Sequence, residues 1–182
     1  MSSDDVLSAF LGAFLIVWLV IMLISIAVSI LRIIANWKLY EKAGEPGWSA
    51  IVPVYNMMQM IKIATGTYKL AWVYIGLYGG YFVANMLLSF FPLFINDTET
   101  ASLVTLGLTV LLMLVAIPMI VLGGYISYMF PKSYGKSPTF CALSIIFNSI
   151  TFIIMGFDKS TQYVGPKGEP QFNSFNNYNN YY

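Results

Sequence analysis

The feature that most constrains this chain is a run of 26 residues, from Val6 to Leu31, that contains no charged side chain. A helix of that length extends about 39 Å, which is enough to cross a hydrocarbon core of about 30 Å with some tilt. Hydrophobic residues make up 58% of the chain and charged residues 9%, whereas soluble domains contain about 25% charged residues. The sequence therefore predicts an all-α integral membrane protein, because helices satisfy their own backbone hydrogen bonds inside lipid.

Three more apolar runs follow the first. We expect a bundle of four transmembrane helices, at about residues 6–31, 70–95, 101–130 and 140–157. The third run is interrupted by Pro118 and two adjacent glycines, which predicts a kinked or tilted helix. The fourth run has about 18 residues and is only just long enough to cross. The first run follows Asp4 and Asp5 and is too long for a cleaved signal peptide, so we expect it to be retained.

The composition changes after residue 158, and we assign residues 1–158 to the transmembrane domain. A segment with Gly and Pro leads into a stretch rich in Asn and Tyr. Such low complexity predicts a disordered tail over residues 159–182. Asn with interleaved aromatic residues is also typical of adhesive segments, so self-association of the tail is the alternative.

Lys and Arg are concentrated in two of the connections between the apolar runs. The segment from Arg32 to Lys69 contains five of them, and the loop from Pro131 to Thr139 contains two. Positive charge marks the cytoplasmic side of a membrane protein, so we expect both connections there. With four spans, both termini are then extracytoplasmic.

The connector between the first two spans is dense in aromatic, charged and turn-forming residues. Its Lys and Glu residues favour water, its Trp residues suit the headgroup region, and its Gly and Pro residues fix turns. We interpret it as a rigid cytoplasmic cap and a candidate surface for a partner. The candidate residues are Trp37, Lys38, Gly44, Pro46, Gly47, Trp48, Pro53, Tyr55 and Asn56.

Residues 49–64, at the end of this connector, are too short and too polar to cross a membrane. Asn56, Gln59 and Lys62 recur at three-residue steps. Apolar residues occupy the other side: Ile51, Val54, Met58 and Ile61. This pattern predicts an amphipathic helix that lies in the membrane interface, where it seals the edge of the bundle or acts as a lid. Pro53 near its start leaves a re-entrant hairpin open as the alternative.

Mild polar residues occur inside two of the predicted spans. On the fourth span they are spaced so that they share one helix face. These residues are Cys141, Ser144, Asn148 and Thr151. Asn85 and Ser89 form a similar pair on the second span, and a hydrogen bond between the two helices is worth about 0.6–2 kcal/mol. The alternative is a polar lining for a small neutral solute or for lipid headgroups, which a solvent-accessible Cys141 thiol would favour.

Small residues recur at four-residue steps on the second and third spans. They are Gly76, Gly80 and Ala84 on the second span, and Gly123 and Ser127 on the third. Small residues at this spacing let helix backbones approach closely. The spacing predicts helix packing, either within the chain or in a homo-oligomer.

The sequence offers little for catalysis. It contains no histidine, and its eight carboxylates lie in the termini and predicted loops. Carboxylates or histidines at membrane depth are typical of proton-coupled transporters and intramembrane proteases. We therefore predict no catalytic, cofactor-binding or metal-binding residues. The formal net charge of +1 also predicts no binding of nucleic acid, which needs clustered Lys and Arg.

One short motif points toward a peptidase. Ser127-Tyr-Met-Phe-Pro131 matches the Ser-x-Met-x-Pro box around the nucleophile of type I signal peptidases. In those enzymes the serine pairs with a lysine. Ser127 lies at the predicted cytoplasmic end of its span, and no long β-rich segment follows to supply that lysine. We therefore predict that the chain is not an enzyme.

The segment from Trp37 to Asn56 resembles the signature of an uncharacterised bacterial family of small multi-pass membrane domains. In this chain the signature follows the pattern W-K-x-[FY]-x-K-A-G-x-P-G-W, then P-x-Y-N. The segments from Tyr134 to Phe140 and from Met155 to Pro166 resemble its second signature. The resemblance implies a multi-pass protein of the bacterial cytoplasmic membrane. Members are sometimes labelled signal peptidase-like, and the resemblance carries no catalytic residue.

These observations favour a non-enzymatic membrane protein that packs with itself or serves as an accessory subunit of a membrane complex. Its expected partners are the lipid bilayer and either a second copy or other membrane proteins. The alternative is a small transporter, channel or lipid-handling protein with a polar path inside the membrane. A membrane peptidase is the least favoured hypothesis.

Overall fold

The computed structural model describes residues 3–90, 94 and 97–170, and all regular structure in this part of the chain is helical. The all-α prediction is therefore confirmed. The α-helices are α1 (Ser3–Lys42), α2 (Pro53–Thr65), α3 (Lys69–Phe90), α4 (Thr98–Lys132), α5 (Pro138–Ile146) and α6 (Asn148–Phe157). Short 3₁₀ turns occupy Gly47–Ala50 and Pro166–Gly168.

Three helices are long and apolar enough to cross a membrane: Asp5–Lys42, Lys69–Phe90 and Glu99–Lys132. They correspond to the first three predicted spans, although the last residues predicted for the second lie partly outside the described residues. The first helix continues past Leu31 to Lys42, and residues 32–42 contain no Gly or Pro that would stop it. Gly44, with a φ of 74°, then provides the left-handed turn into the cap.

The predicted fourth span is wrong, because residues 140–157 do not form one helix. The helix breaks at Phe147, whose backbone (φ −105°, ψ 43°) leaves the helical region. The resulting α5 and α6 have 9 and 10 residues, so each extends only about 15 Å, half of a hydrocarbon core. They fold back as a hairpin, since Lys136 before α5 forms an ion pair of 2.9 Å with Asp158 after α6.

Because of this hairpin, the end of α6 returns to the end of the molecule where α1 ends. Lys42 Nζ donates a hydrogen bond of 2.8 Å to the backbone oxygen of Asp158, so the end of α6 lies beside the end of α1. We call this end of the molecule, where Lys42, Lys69 and Lys132 also lie, the basic end. Residues 158–170 are therefore at the opposite end from Ser3, and the expectation that both termini share one side loses its basis.

The packed core also lies at the basic end. Fully buried residues from α1, α4 and α6 meet there, including Leu39, Tyr40, Phe130, Phe152 and Met155. The rest of α1 stands apart, and the side chains of its apolar part, such as Phe10, Ile16 and Leu23, are exposed. In a membrane these side chains face lipid or another helix.

Residues 158–170 pack across the basic end, so the predicted boundary of the disordered tail comes too early. Val164 donates its N–H to the Ser133 carbonyl at 2.9 Å, and the Tyr163 hydroxyl donates to the Ile63 carbonyl at 3.1 Å. The Asn- and Tyr-rich residues 171–182 lie outside the described residues.

We expect this segment to be held less tightly at low pH. Hydrogen bonds from Ser160, Lys136 and Thr161 hold the pKa of Asp158 well below its usual range. A lowered native pKa means that the stabilisation is present above the ordinary Asp pKa of about 4 and is lost as the pH falls below it. The melting temperature of Asp158→Asn should be lower than that of the wild type at pH 7, and the gap should narrow below about pH 4.

The control is Glu169→Gln, which removes an exposed carboxylate of the same segment. This variant should melt like the wild type at both pH values. A gap for Asp158→Asn that stays constant from pH 7 to pH 3 would contradict the expectation.

Candidate functional site

The most unusual polar side chain in the structure is Arg32, which lies inside α1 and is partly buried between helices. Its Nη1 donates to Ser149 Oγ at 2.8 Å, and its Nη2 donates to Asn148 Oδ1 at 2.5 Å. The guanidinium also stacks over the Phe152 ring, 5.6 Å from the ring centroid. All of these partners are neutral. Among the described residues the ion pairs are Lys62 with Glu45 and Lys136 with Asp158, so Arg32 has no carboxylate partner there.

The residues predicted to form one polar face of the fourth span lie on two helices: Cys141 and Ser144 are on α5, and Asn148 and Thr151 are on α6. Asn148 Nδ2 donates to Ser127 Oγ at 2.9 Å, and the buried Ser144 hydroxyl bonds the backbone oxygens of Ser127 and Cys141. The Thr151 hydroxyl bonds back to the Phe147 and Asn148 carbonyls. The contacts with Ser127 therefore attach the α5–α6 hairpin to α4 beside Arg32.

The expected hydrogen bond between the second and fourth predicted spans is not formed. The Asn85 amide donates to the Tyr81 carbonyl of its own helix at 2.9 Å. The Ser89 hydroxyl likewise donates to the Asn85 carbonyl at 2.9 Å. Since the hairpin does not cross, Asn148 stays near the basic end and is far along the bundle from Asn85.

Arg32, Ser127 and Asn148 line an open cavity of about 370 Å³. The rest of its wall comes from Met57, Met60, Tyr74, Gly123 and Ile126. A second cavity of about 360 Å³ shares Tyr74, Gly123 and Ser127 and continues along α3 and α4 past Tyr78, Tyr81 and Ile120. A third, of about 280 Å³, lies farther along the same two helices between Ala84, Leu87, Leu108 and Leu112. We call this series of cavities the α3–α4 groove.

The groove is polar at the basic end and apolar farther in. Arg32 directly follows the 26 uncharged residues, Tyr74 is five residues after Lys69, and Ser127 is five residues before Lys132. These three side chains are thus within two turns of the point where charged residues begin. Leu88, fourteen residues beyond Tyr74, is about 21 Å deeper along α3. The groove therefore runs from the basic end toward the apolar middle of α3 and α4.

The predicted partner surface divides into buried and exposed parts. Gly47 lies under the Trp37 indole, and a Cβ there would be only 2.4 Å from that ring. Asn56 also points inward, where it accepts a hydrogen bond from the buried Tyr40 hydroxyl. The exposed members are Lys38, Gly44, Pro46, Trp48, Pro53 and Tyr55. Gly47 and Asn56 of the predicted partner surface therefore have structural contacts inside the protein.

Helix α2 forms as predicted, but its polar residues face the protein. Gln59 is 4% exposed, donates to Glu45 Oε2 at 3.1 Å and accepts from the Tyr68 hydroxyl at 3.2 Å. Lys62 pairs with Glu45 at 2.6 Å, and that hydrogen bond raises the pKa of Lys62. The apolar residues of the predicted pattern are divided: Ile51 and Val54 are exposed, whereas Ile61 is fully buried and Met58 packs against it. The helix therefore does not show the predicted separation into a polar and an apolar side.

The small residues on α3 are not used for packing in the described part of the chain. A Cβ added to Gly76 or Gly80 would meet nothing within 4 Å, and Ala84 lines the third cavity. On α4, a Cβ at Gly123 would lie 3.5 Å from the Tyr74 hydroxyl, so Gly123 leaves space in the groove. Two helix backbones approach closely at Gly156, where a Cβ would lie 2.5 Å from the Ala35 Cα, and the small-residue spacing did not predict this contact.

The site contains hydroxyl, amide and guanidinium groups beside an open apolar groove. Ser127 Oγ accepts from the Asn148 amide, which is not a base, and no lysine lines either cavity that Ser127 borders. The Cys141 thiol is buried, and desolvation raises its pKa. In the described part of the chain there is no group of His, Cys, Asp or Glu that could hold a metal ion. The described residues of the site thus provide hydrogen-bond donors beside an open apolar groove.

Comparison with known proteins adds one family match. The model of a family of unknown function (DUF5684) matches residues 107–166, which include most of α4 and the whole α5–α6 hairpin. No curated protein and no solved structure matches the chain. The matched segment contains Gly123, Ser127 and Asn148, which form one wall of the site, whereas Arg32 and Tyr74 lie outside it.

Proposed function

We propose that this chain is a non-enzymatic integral membrane protein that binds a single amphiphile in the α3–α4 groove. The observation that carries the proposal is the change of lining along that groove. Hydrogen-bonding groups lie at the basic end, and Leu87, Leu108 and Leu112 line the far end. A molecule with a polar head and an apolar tail matches this change.

The size of the cavities supports this assignment. The two cavities nearest the basic end, of about 370 and 360 Å³, fall within the range of about 300–1,000 Å³ that is typical of ligand pockets. They share residues, so a single tail can occupy both. Burial of a methylene group contributes about 0.8 kcal/mol relative to water. Because lipid tails are equally apolar, selection of a ligand must come from shape and from the polar end.

We propose further that the protein lies in the bacterial cytoplasmic membrane with its basic end in the cytoplasm. The concentration of Lys and Arg at that end supports this orientation. With three crossings, Ser3 is then extracytoplasmic and residues 158–170 are cytoplasmic.

Photolabelling with a neutral lipid tests the groove. Full-length protein in nanodiscs is irradiated with a phosphatidylcholine that carries a diazirine on its tail, and labelled peptides are mapped by mass spectrometry. We expect labels to be more frequent on groove residues such as Met119, Ile120 and Leu87 than on the exposed residues of α1. Gly123→Leu should remove the groove labels, because the new side chain fills the junction of the two cavities.

Gly107→Leu is the matched control on the same helix. A Cβ at Gly107 meets nothing within 4 Å, so this variant should keep the groove label. If the label in the wild type is spread evenly over α1 and the groove, the lipid is only annular and the proposal is wrong.

A second function, association in the membrane through α1, has one specific observation in its favour. The most apolar stretch of α1 is not buried against the described chain. A second copy or another membrane protein would cover it, as expected for a homo-oligomer or an accessory subunit. Photolabelling repeated in native membranes distinguishes this case, because a covered α1 would stay unlabelled there, whereas a lipid-exposed α1 would be labelled along its length.

A further inference from the structure

We propose that the α3–α4 groove selects an anionic lipid headgroup, and that Arg32 is the residue that binds its charge. This inference rests on the proposed binding of an amphiphile and adds the class of ligand. The ligand class is a lipid with a phosphodiester or carboxylate headgroup and no compensating positive charge.

The first argument is the missing counter-ion of Arg32. A buried or half-buried cation without a negative partner is costly, and in membrane helices such charges are usually paired. Here the guanidinium contacts two neutral oxygens, on Asn148 and Ser149, and the Phe152 ring. An anion in the adjoining cavity would supply the missing charge.

The second argument is the number of hydrogen-bond donors that remain. A guanidinium has five N–H donors, and the bonds to Ser149 and Asn148 use two of them. The remaining three favour the planar, two-pronged contact that Arg makes with phosphate and carboxylate groups. The hydroxyls of Tyr74 and Ser127 line the same cavity, so a bound oxyanion would meet three donor side chains.

The third argument is the level of the site in the bilayer. Arg32 comes directly after the 26 uncharged residues that cross the hydrocarbon core. It therefore lies where headgroup phosphates lie, and the groove leads from it toward the membrane interior. A free anion could reach Arg32, but it would not fill the apolar part of the groove. A lipid fills both parts with one molecule.

Competition between two lipids that share the same tails tests the headgroup. Full-length protein in detergent is mixed with equal amounts of phosphatidylglycerol and phosphatidylcholine, and the bound lipid is read by native mass spectrometry. We expect retention of phosphatidylglycerol over phosphatidylcholine by about tenfold, which corresponds to about 1.4 kcal/mol. Arg32→Gln should reduce this ratio to about one while total retained lipid persists.

Lys69→Gln provides the matched control for unspecific attraction. Lys69 is an exposed cation at the same basic end, and its removal changes the net charge by the same amount. The lipid ratio should stay at its wild-type value in this variant. An equal loss of preference in Lys69→Gln and Arg32→Gln would overturn the assignment to Arg32.

Asn148→Asp keeps the test decisive if Arg32→Gln does not fold. This change places a carboxylate where the amide oxygen now lies 2.5 Å from Arg32 Nη2 and gives the cation an internal partner. We expect the preference to fall to about one with no loss in melting temperature. A folded Asn148→Asp protein that still prefers phosphatidylglycerol would overturn the inference.

The remaining outcomes separate this inference from the proposed function. Equal retention of both lipids by the wild type overturns the headgroup assignment and leaves the groove proposal standing. If the wild type retains neither lipid, the headgroup assignment and the groove proposal are both wrong. Displacement of phosphatidylglycerol by millimolar inorganic phosphate alone would identify a free anion as the ligand and overturn the assignment to a lipid.

Discussion

Phe130→Ala is expected to lower the free energy of unfolding by about 3–5 kcal/mol, as removal of a buried phenyl ring usually does. Phe130 is fully buried at the C-terminal end of α4. Its ring centroid lies 4.7 Å from that of Phe152, 5.3 Å from that of Tyr134 and 6.4 Å from that of Tyr40. Removal of the ring would leave a cavity at the point where α1, α4 and α6 meet. The ring contacts that join these helices would be lost.

Denaturant titration of the full chain in detergent, followed by circular dichroism, measures this loss. Phe82→Ala on α3 is the control, because Phe82 is 62% exposed and faces the surroundings of the bundle. Its effect should stay within about 0.5 kcal/mol. Similar losses for the two variants would mean that the aromatic cluster at the basic end does not carry the stability that its burial implies.

The same cluster supports the site. The Phe152 ring contacts both the Phe130 ring and the Arg32 guanidinium. Arg32 is therefore positioned by a ring that the core fixes, and loss of Phe130 should also weaken the preference for phosphatidylglycerol. The stability of the core and the geometry of the binding site are coupled through this one side chain.

The three crossing helices could be predicted from the sequence because the thickness of a bilayer sets a minimum length for an uncharged run. Val6 to Leu31 meets that minimum whatever the rest of the chain does. The end of α1 was less predictable. Arg32 and the lysines after it indicated a loop, but the structure keeps them in the helix, because Arg32 bonds Asn148 and Ser149 and Lys42 bonds the end of α6. These contacts join residues more than 100 positions apart.

The prediction of a fourth span was wrong for a related reason. Residues 140–157 are as apolar as a short span, and no Pro or Gly marks the break at Phe147. The hairpin is held by tertiary contacts, namely those of Asn148 with Arg32 and Ser127. Ser144 and Asn148 both contact Ser127, although they lie on α5 and α6 and not on one helix as the spacing predicted. The spacing could not indicate which helix these residues meet, because the partner depends on how the chain is connected in space.

Gly156→Ala is expected to lower the free energy of unfolding by about 2 kcal/mol or more, within the range for overpacked sites. The added Cβ would lie 2.5 Å from the Ala35 Cα and 2.8 Å from the Ala35 carbonyl oxygen. Both are backbone atoms, so no side chain can rotate away and α6 must separate from α1. The better helix propensity of Ala offsets at most about 1 kcal/mol of this cost.

The consequence for binding follows from where the crossing lies. Asn148 and Ser149 are at the start of the same short helix as Gly156, and Arg32 is one turn before Ala35 on α1. Separation at Gly156 should therefore lengthen both hydrogen bonds of the guanidinium, and Gly156→Ala should lose part of the phosphatidylglycerol preference as well as stability. Gly80→Ala is the matched control, since a Cβ there meets nothing within 4 Å, and it should be neutral or stabilising by up to about 1 kcal/mol. A Gly156→Ala protein that melts like Gly80→Ala would show that α6 does not lie against α1, and the positioning of Arg32 by the hairpin would fail with that contact.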